Sequence, residues 1–189
     1  NDRGGTCGMK NHNPVEPDET GIKKLRLDNW NKPDVLSELF PENALANTEA
    51  ILSPQLSDNV PSEVRDLFES AKAIMLYGYY YYPLYKQGLE QLFRVGEAAL
   101  WHKLSHLNET PLSKKLGFKD FTDMLLERRI IDDKSYNDWE NIRALRNSSS
   151  HAKERSFIPA ETCIPVLIKL TTEINALFQN EPTGSTTVN

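Results

Sequence analysis

Six consecutive residues, Arg146-Asn147-Ser148-Ser149-Ser150-His151, hold the side chains of this chain best suited to chemistry. Histidine titrates near neutrality, so His151 can take or give a proton at physiological pH. Arginine offers a planar fork of donors that matches two phosphate oxygens at once. Asn147 and Ser150 can hold a phosphate or orient the histidine. Residues 143–155 carry four basic side chains (Arg143, Arg146, Lys153, Arg155) against one acidic, Glu154. That gives a local net charge of +3 on a chain whose formal net charge is −5. Such a patch is phosphate-sized, whereas the acidic whole excludes a protein that binds nucleic acid through bulk charge.

These residues follow DDKSYNDWENIRAL, which reads as an amphipathic helix with Tyr136, Trp139, Ile142 and Leu145 on its inner face. At about 100° per residue, Arg146 falls between Trp139 and Ile142, with Arg143 and Ser150 beside it. A charge inside an apolar stripe is costly unless it is paired, or unless the stripe opens into a cleft or an interface. On a regular helix His151 lies about 140° around from Arg146. For both to meet one ligand, the helix is expected to loosen or end near Ser148 to Ser150, where hydroxyls compete for backbone groups. A purely structural account also fits: basic residues favour the dipole at a helix C-terminus, and serines fray it.

Other candidates carry less. His102 and His106 share a helical face, but Lys103 stands where the zinc-protease pattern needs glutamate, and no further ligands sit at a recognisable spacing. They read as ordinary, partly exposed histidines, and no metal or cofactor is expected. The run Tyr77, Tyr79, Tyr80, Tyr81, Tyr82 and Tyr85 could stack bases, but such a run more often packs a helix end with its hydroxyls in water. The two cysteines, Cys7 and Cys163, make no disulfide framework, which points to a reducing cytoplasm. The N-terminal stretch lacks the apolar centre of a signal peptide, and no run is long and apolar enough to span a bilayer.

The elements that must position these groups are helical. With 189 residues, 39% of them apolar, the chain can bury one core. Residues 1–60 read as a partly disordered N-terminal extension with short helical turns in its second half. The bundle is expected over 61–180 and a disordered tail over 181–189. Val64, Leu67, Phe68, Ala71, Ile74 and Met75 form one stripe. Leu89, Leu92, Phe93, Gly96, Ala99, Leu100, Leu104 and Leu107 form a second, with almost no loop between the two. Phe118, Phe121, Met124, Leu125 and Ile130 mark a short helix. Asp132 or Asp133 can cap the next one. A last stripe runs from Ile164 through Leu167, Ile168 and Ile174 to Phe178, with Pro159 or Pro165 in its first turns. The fold class is all-α, an antiparallel bundle of four to five helices.

In that setting Arg146-Asn147-Ser-Ser-Ser-His151 resembles the R-N-x-x-x-H motif of HEPN domains, the higher eukaryotes and prokaryotes nucleotide-binding family. The motif falls between the last two helices, where that family carries it. The phrase YYYPLYKQGLEQLFRVGEAAL is also similar to the helix-turn-helix of bacterial HEPN-like proteins, so the likeness covers residues 61–180.

The resemblance implies a metal-independent endoribonuclease of toxin–antitoxin, antiviral or RNA-processing type, with Arg146 and His151 catalytic. From the chemistry of the residues themselves, Asn147, Ser150, Arg143 and Lys153 are expected to hold the substrate, and Glu90, early in the second long helix, to pair Arg146 or orient His151. The resemblance also implies a homodimer with a composite site, RNA as substrate and an antitoxin or other regulatory protein as partner. One subgroup has, two residues after the histidine, a tyrosine that the antitoxin modifies. Lys153 stands there in this chain, which departs from that mode of control. Two other functions compete: a silent HEPN-like module that binds RNA, nucleotide or a partner protein, and an interaction bundle without any nucleic-acid role.

Overall fold

The apolar period that opens after Pro61 winds into the first long helix, and the stripes that follow become the walls of one core. The computed structural model describes residues 22–38, 42–107, 116–151 and 158–179, with the backbone alone at Glu42, Ser149, Ser150 and His151. The expectations for residues 1–21, for Lys153 and for the C-terminal tail lie outside the described residues. Among the described residues there are seven α-helices, one 3-10 turn and no strand: α1 (Val35–Glu38), α2 (Glu42–Leu52), α3 (Ser62–Leu76), the 3-10 turn Tyr77–Tyr79, α4 (Leu84–Leu107), α5 (Phe118–Glu127), α6 (Asp133–His151) and α7 (Ala160–Phe178). The all-α bundle expected from periodicity is what forms, and no helix among the described residues is long and apolar enough to cross a membrane.

α3 and α4 pack most closely. A Cβ on Gly88 would stand 2.2 Å from Met75 Cγ and within 3.3 Å of the Met75 and Ala71 backbone. Absence of a side chain there lets the two backbones approach. Gly88→Val is therefore expected to cost about 1–3 kcal/mol by overpacking, read as a lower denaturation midpoint. The contacts also give direction. Met75 meets Gly88 and Gly78 meets Tyr85, so α3 and α4 run antiparallel. Ser135 bonds Glu173 and Asp138 pairs with Lys169, so α6 and α7 are antiparallel too. α4 and α7, by contrast, advance together through Tyr85–Cys163, Gly96–Leu170 and Lys103–Phe178. The neighbours α3 and α4, and α6 and α7, are thus antiparallel, and α4 and α7 are parallel.

The core is apolar at nearly every position where the stripes place it: Val64, Phe68, Ala71, Met75, Leu92, Leu100, Leu125, Trp139, Leu167, Leu170 and Ile174 are buried. Cys163 is buried there, and desolvation pushes its thiol up to about 12. Ile51 and Val60, upstream of α3, join the same core. Residues 22–38 are tied on by polar anchors instead. Buried Lys23 donates from Nζ to the carbonyls of Lys32 (2.6 Å) and Tyr80 (3.0 Å). Buried Asp34 accepts from the backbone N–H of Leu36 at the start of α1 and from that of Tyr82.

Three stripe positions behave differently. Leu107, Leu145 and Ile168 are exposed, so the apolar face of α6 ends at Ile142.

Candidate functional site at the C-terminal end of α6

α6 starts where an aspartate can cap it: Asp132 Oδ1 accepts the Ser135 N–H at 2.8 Å. Asp132 is thus the cap, and Asp133 adds negative charge to the first turn, where the helix dipole favours it. α5 stops just before, at a Schellman turn. Ile130 N–H bonds the Leu125 carbonyl and Arg129 N–H that of Leu126, with Arg129 at φ 55°.

The N-terminal half of α6 is held on two sides. Toward α7, Ser135 donates to buried Glu173 at 2.6 Å, and Lys169 bridges Asp138 and Glu173. Toward α5, the Tyr136 hydroxyl donates to Asp123 at 2.8 Å, and Lys119 pairs with the same carboxylate at 3.0 Å. These bonds, Tyr136 first, hold the Asp123 carboxyl below the usual carboxylate range. Trp139 is fully buried, its ring 5.9 Å from that of Phe118. It reaches α4 because Gly96 has no side chain: a Cβ there would lie 3.3 Å from the Trp139 ring and 3.1 Å from Leu170.

That close approach places the next residue of α4, Glu97, against α6. Glu97 Oε2 meets Arg146 Nη2 at 3.0 Å, and each side chain keeps about a third of its surface in water, 33% and 36%. Arg146 therefore has the partner that its position in the stripe requires. Glu90 was expected to pair Arg146 or orient His151; an ion pair of Arg146 is made with Glu97, two turns further along the same face of α4, and the His151 side chain lies outside the described residues. Trp101, one turn beyond Glu97, is 45% exposed, and Leu145, next to Arg146, is 47% exposed. The site is bordered by apolar surface that sequence periodicity had assigned to the interior at Leu145 and had not singled out at Trp101.

Arg143, expected to hold RNA, is engaged on its own helix. Nε and Nη2 fork onto Glu140 at 2.7–3.0 Å, which pulls the Glu140 carboxyl below its ordinary value and raises the guanidinium's. Asn147 and Ser148 are exposed. The helical backbone continues through Ser148, Ser149 and Ser150 to His151, where a break had been expected. The backbone positions of Arg146 and His151 are consequently about 140° apart around the axis. The side chains of Ser150 and His151 lie outside the described residues.

No protein-family model, curated protein or solved structure matches this chain. RNSSSH, expected between the last two helices, forms the last six residues of α6.

His102 and His106 have structural surroundings. His102 is partly buried, its ring edge-on to Trp101 at 5.0 Å; burial lowers its pKa, while Glu63 pulls the other way. His106 is exposed in the last turn of α4. Among the described residues no group of three or more His, Cys, Asp or Glu side chains could hold a metal ion.

Proposed function

We propose that this chain is a metal-independent endoribonuclease whose site is built from the C-terminal end of α6. The observation that carries the reading is the partly exposed ion pair of Glu97 with Arg146, the first residue of RNSSSH. An ion pair with this much exposure contributes at most about 1 kcal/mol. A phosphate can therefore displace Glu97 from the guanidinium at little cost, and Glu97 keeps the fork oriented until it does.

In the proposed reaction the His151 imidazole takes the proton of a ribose 2′-hydroxyl, and the 2′-oxygen attacks the adjacent phosphorus. The phosphorus–O5′ bond breaks, and the leaving oxygen receives a proton. Arg146 places two donors on the non-bridging oxygens, where negative charge builds in the transition state. The products are a 2′,3′-cyclic phosphate and a 5′-hydroxyl, and DNA, lacking the attacking group, is not cut.

The continuous helix separates Arg146 from His151 of the same copy, and one imidazole cannot easily serve as base and acid in a single step. A two-fold dimer that brings two RNSSSH segments to one cleft supplies both, and the exposed Trp101 and Leu145 offer apolar surface for its contact. Mixing Arg146→Ala with His151→Ala subunits is expected to regain a small part of the wild-type rate, since the mixed cleft still holds one intact arginine and one intact histidine, with water standing in for the second imidazole. A mixture no more active than either variant alone, or a monomer in sedimentation at cleaving concentrations, would overturn the shared cleft.

The same separation of Arg146 and His151 favours a second reading, a silent HEPN-like module that binds RNA, nucleotide or a partner protein without cutting. Binding of RNA without any strand scission would select it.

A further inference from the structure

The α3–α4 corner carries an open groove of about 510 Å³ lined by Trp30, Asn31, Leu76, Tyr77 and Tyr80. Its three aromatic side chains stay wet: Trp30 is 61% exposed, Tyr77 62% and Tyr80 37%. The tyrosine run was expected to pack a helix end. Tyr85 does so, whereas Tyr77 and Tyr80 turn outward.

The groove is rigidly built. Lys23 Nζ, itself buried, joins the Lys32 carbonyl to that of Tyr80 and so fastens the Trp30 turn to the corner. Fully buried Asn29 closes that turn through the Lys24 carbonyl and the Arg26 N–H. The Tyr80 ring stands edge-on to Tyr79 at 5.2 Å and 6.3 Å from Tyr77. In the segment that carries Trp30, residues 24–32 expose Lys24, Arg26 and Lys32 against Asp28, a net +2 on an acidic chain. The Arg26–Asp28 contact is a 3.4 Å surface pair of the kind that contributes little.

Exposed aromatic side chains beside an exposed basic segment match unpaired bases joined by phosphates. Within the groove an aliphatic partner helix would find one matching side chain, Leu76, although Leu25 and Leu27 are exposed in the neighbouring segment. A duplex keeps its bases stacked inside and offers no faces to the rings.

We propose that this groove binds single-stranded RNA, with bases stacked on Trp30, Tyr77 and Tyr80 and phosphates met by Lys24, Arg26 and Lys32. The inference rests on the reading of this chain as RNA-directed, and it adds a second contact region. Between Leu84, just after the corner, and Glu97, α4 rises roughly 20 Å, so the groove holds a flank of the strand and not the scissile phosphate.

The test is fluorescence anisotropy of the full chain with a labelled 2′-O-methyl RNA strand of about twelve nucleotides, a length that covers a typical single-strand site. Its blocked 2′-oxygens prevent the proposed cleavage. Trp30→Ala and Tyr77→Ala should each weaken binding about 5- to 100-fold, Trp30→Phe should retain most of it, and the matching duplex should bind about tenfold more weakly. Both side chains are exposed, and melting followed by circular dichroism checks that the fold is kept. Alanine variants that bind like wild type, a wild type that fails to bind, or equal affinity for the duplex would overturn the groove. Aromatic-dependent binding by a protein that cuts no RNA keeps the groove and removes the nuclease. RNA cutting with aromatic-independent binding does the reverse.

Discussion

His151→Ala is expected to lower RNA cleavage about 10²–10⁴-fold while helical content and melting stay at wild-type values. His151 is the histidine that stands in the +3 segment. His102 packs against Trp101, and His106 lies in the last turn of α4. The fold should survive because α6 is anchored upstream, by Trp139 in the core and by the Ser135–Glu173, Tyr136–Asp123 and Lys169–Asp138 contacts. Equal cleavage by variant and wild type, measured on the same RNA, would remove the nuclease reading. A small loss with a raised KM would make His151 a binding group.

Arg146→Ala is expected to lower kcat about 10²–10³-fold, the effect of removing a preorganised donor from a developing oxyanion. Arg146→Lys should recover little, because an ammonium cannot form the two-pronged contact. Loss of the Glu97 contact accounts for at most about 1 kcal/mol of stability, so thermal melting should shift only slightly and the kinetic effect cannot be blamed on unfolding. Glu97→Gln separates the two roles open to that carboxylate. If Glu97 only steadies Arg146, the variant stays within a few-fold of wild type. If it were itself the proton donor or acceptor, the variant would fail as badly as His151→Ala. Full activity of Arg146→Lys would contradict the assignment.

Much of this was legible in the sequence, because periodicity reports burial directly. The stripe from Leu89 to Leu104 is buried as read, the one from Val64 to Met75 is buried except at half-buried Leu67 and Ile74, and an aspartate caps α6 at Asp132. What escaped depends on how separate helices meet. Glu90 and Glu97 are one heptad apart on α4 and indistinguishable on a helical wheel. The choice between them follows from where Trp139 seats against Gly96, a packing fact. The serine triplet misled for a different reason. Each serine costs the helix only a few tenths of a kcal/mol, and extending an anchored helix carries no nucleation penalty, so α6 runs on to His151. Trp30 and Tyr77 could not be linked from sequence at all, since Lys23 joins their segments across 57 positions.

The most direct measurement is end-group analysis of RNA incubated with the pure protein in EDTA. The account predicts strand scission with 2′,3′-cyclic phosphate and 5′-hydroxyl ends, and none at a site whose 5′-side nucleotide carries a single 2′-deoxy substitution. Products bearing 5′-phosphates, cleavage that survives that substitution, or intact RNA would contradict it.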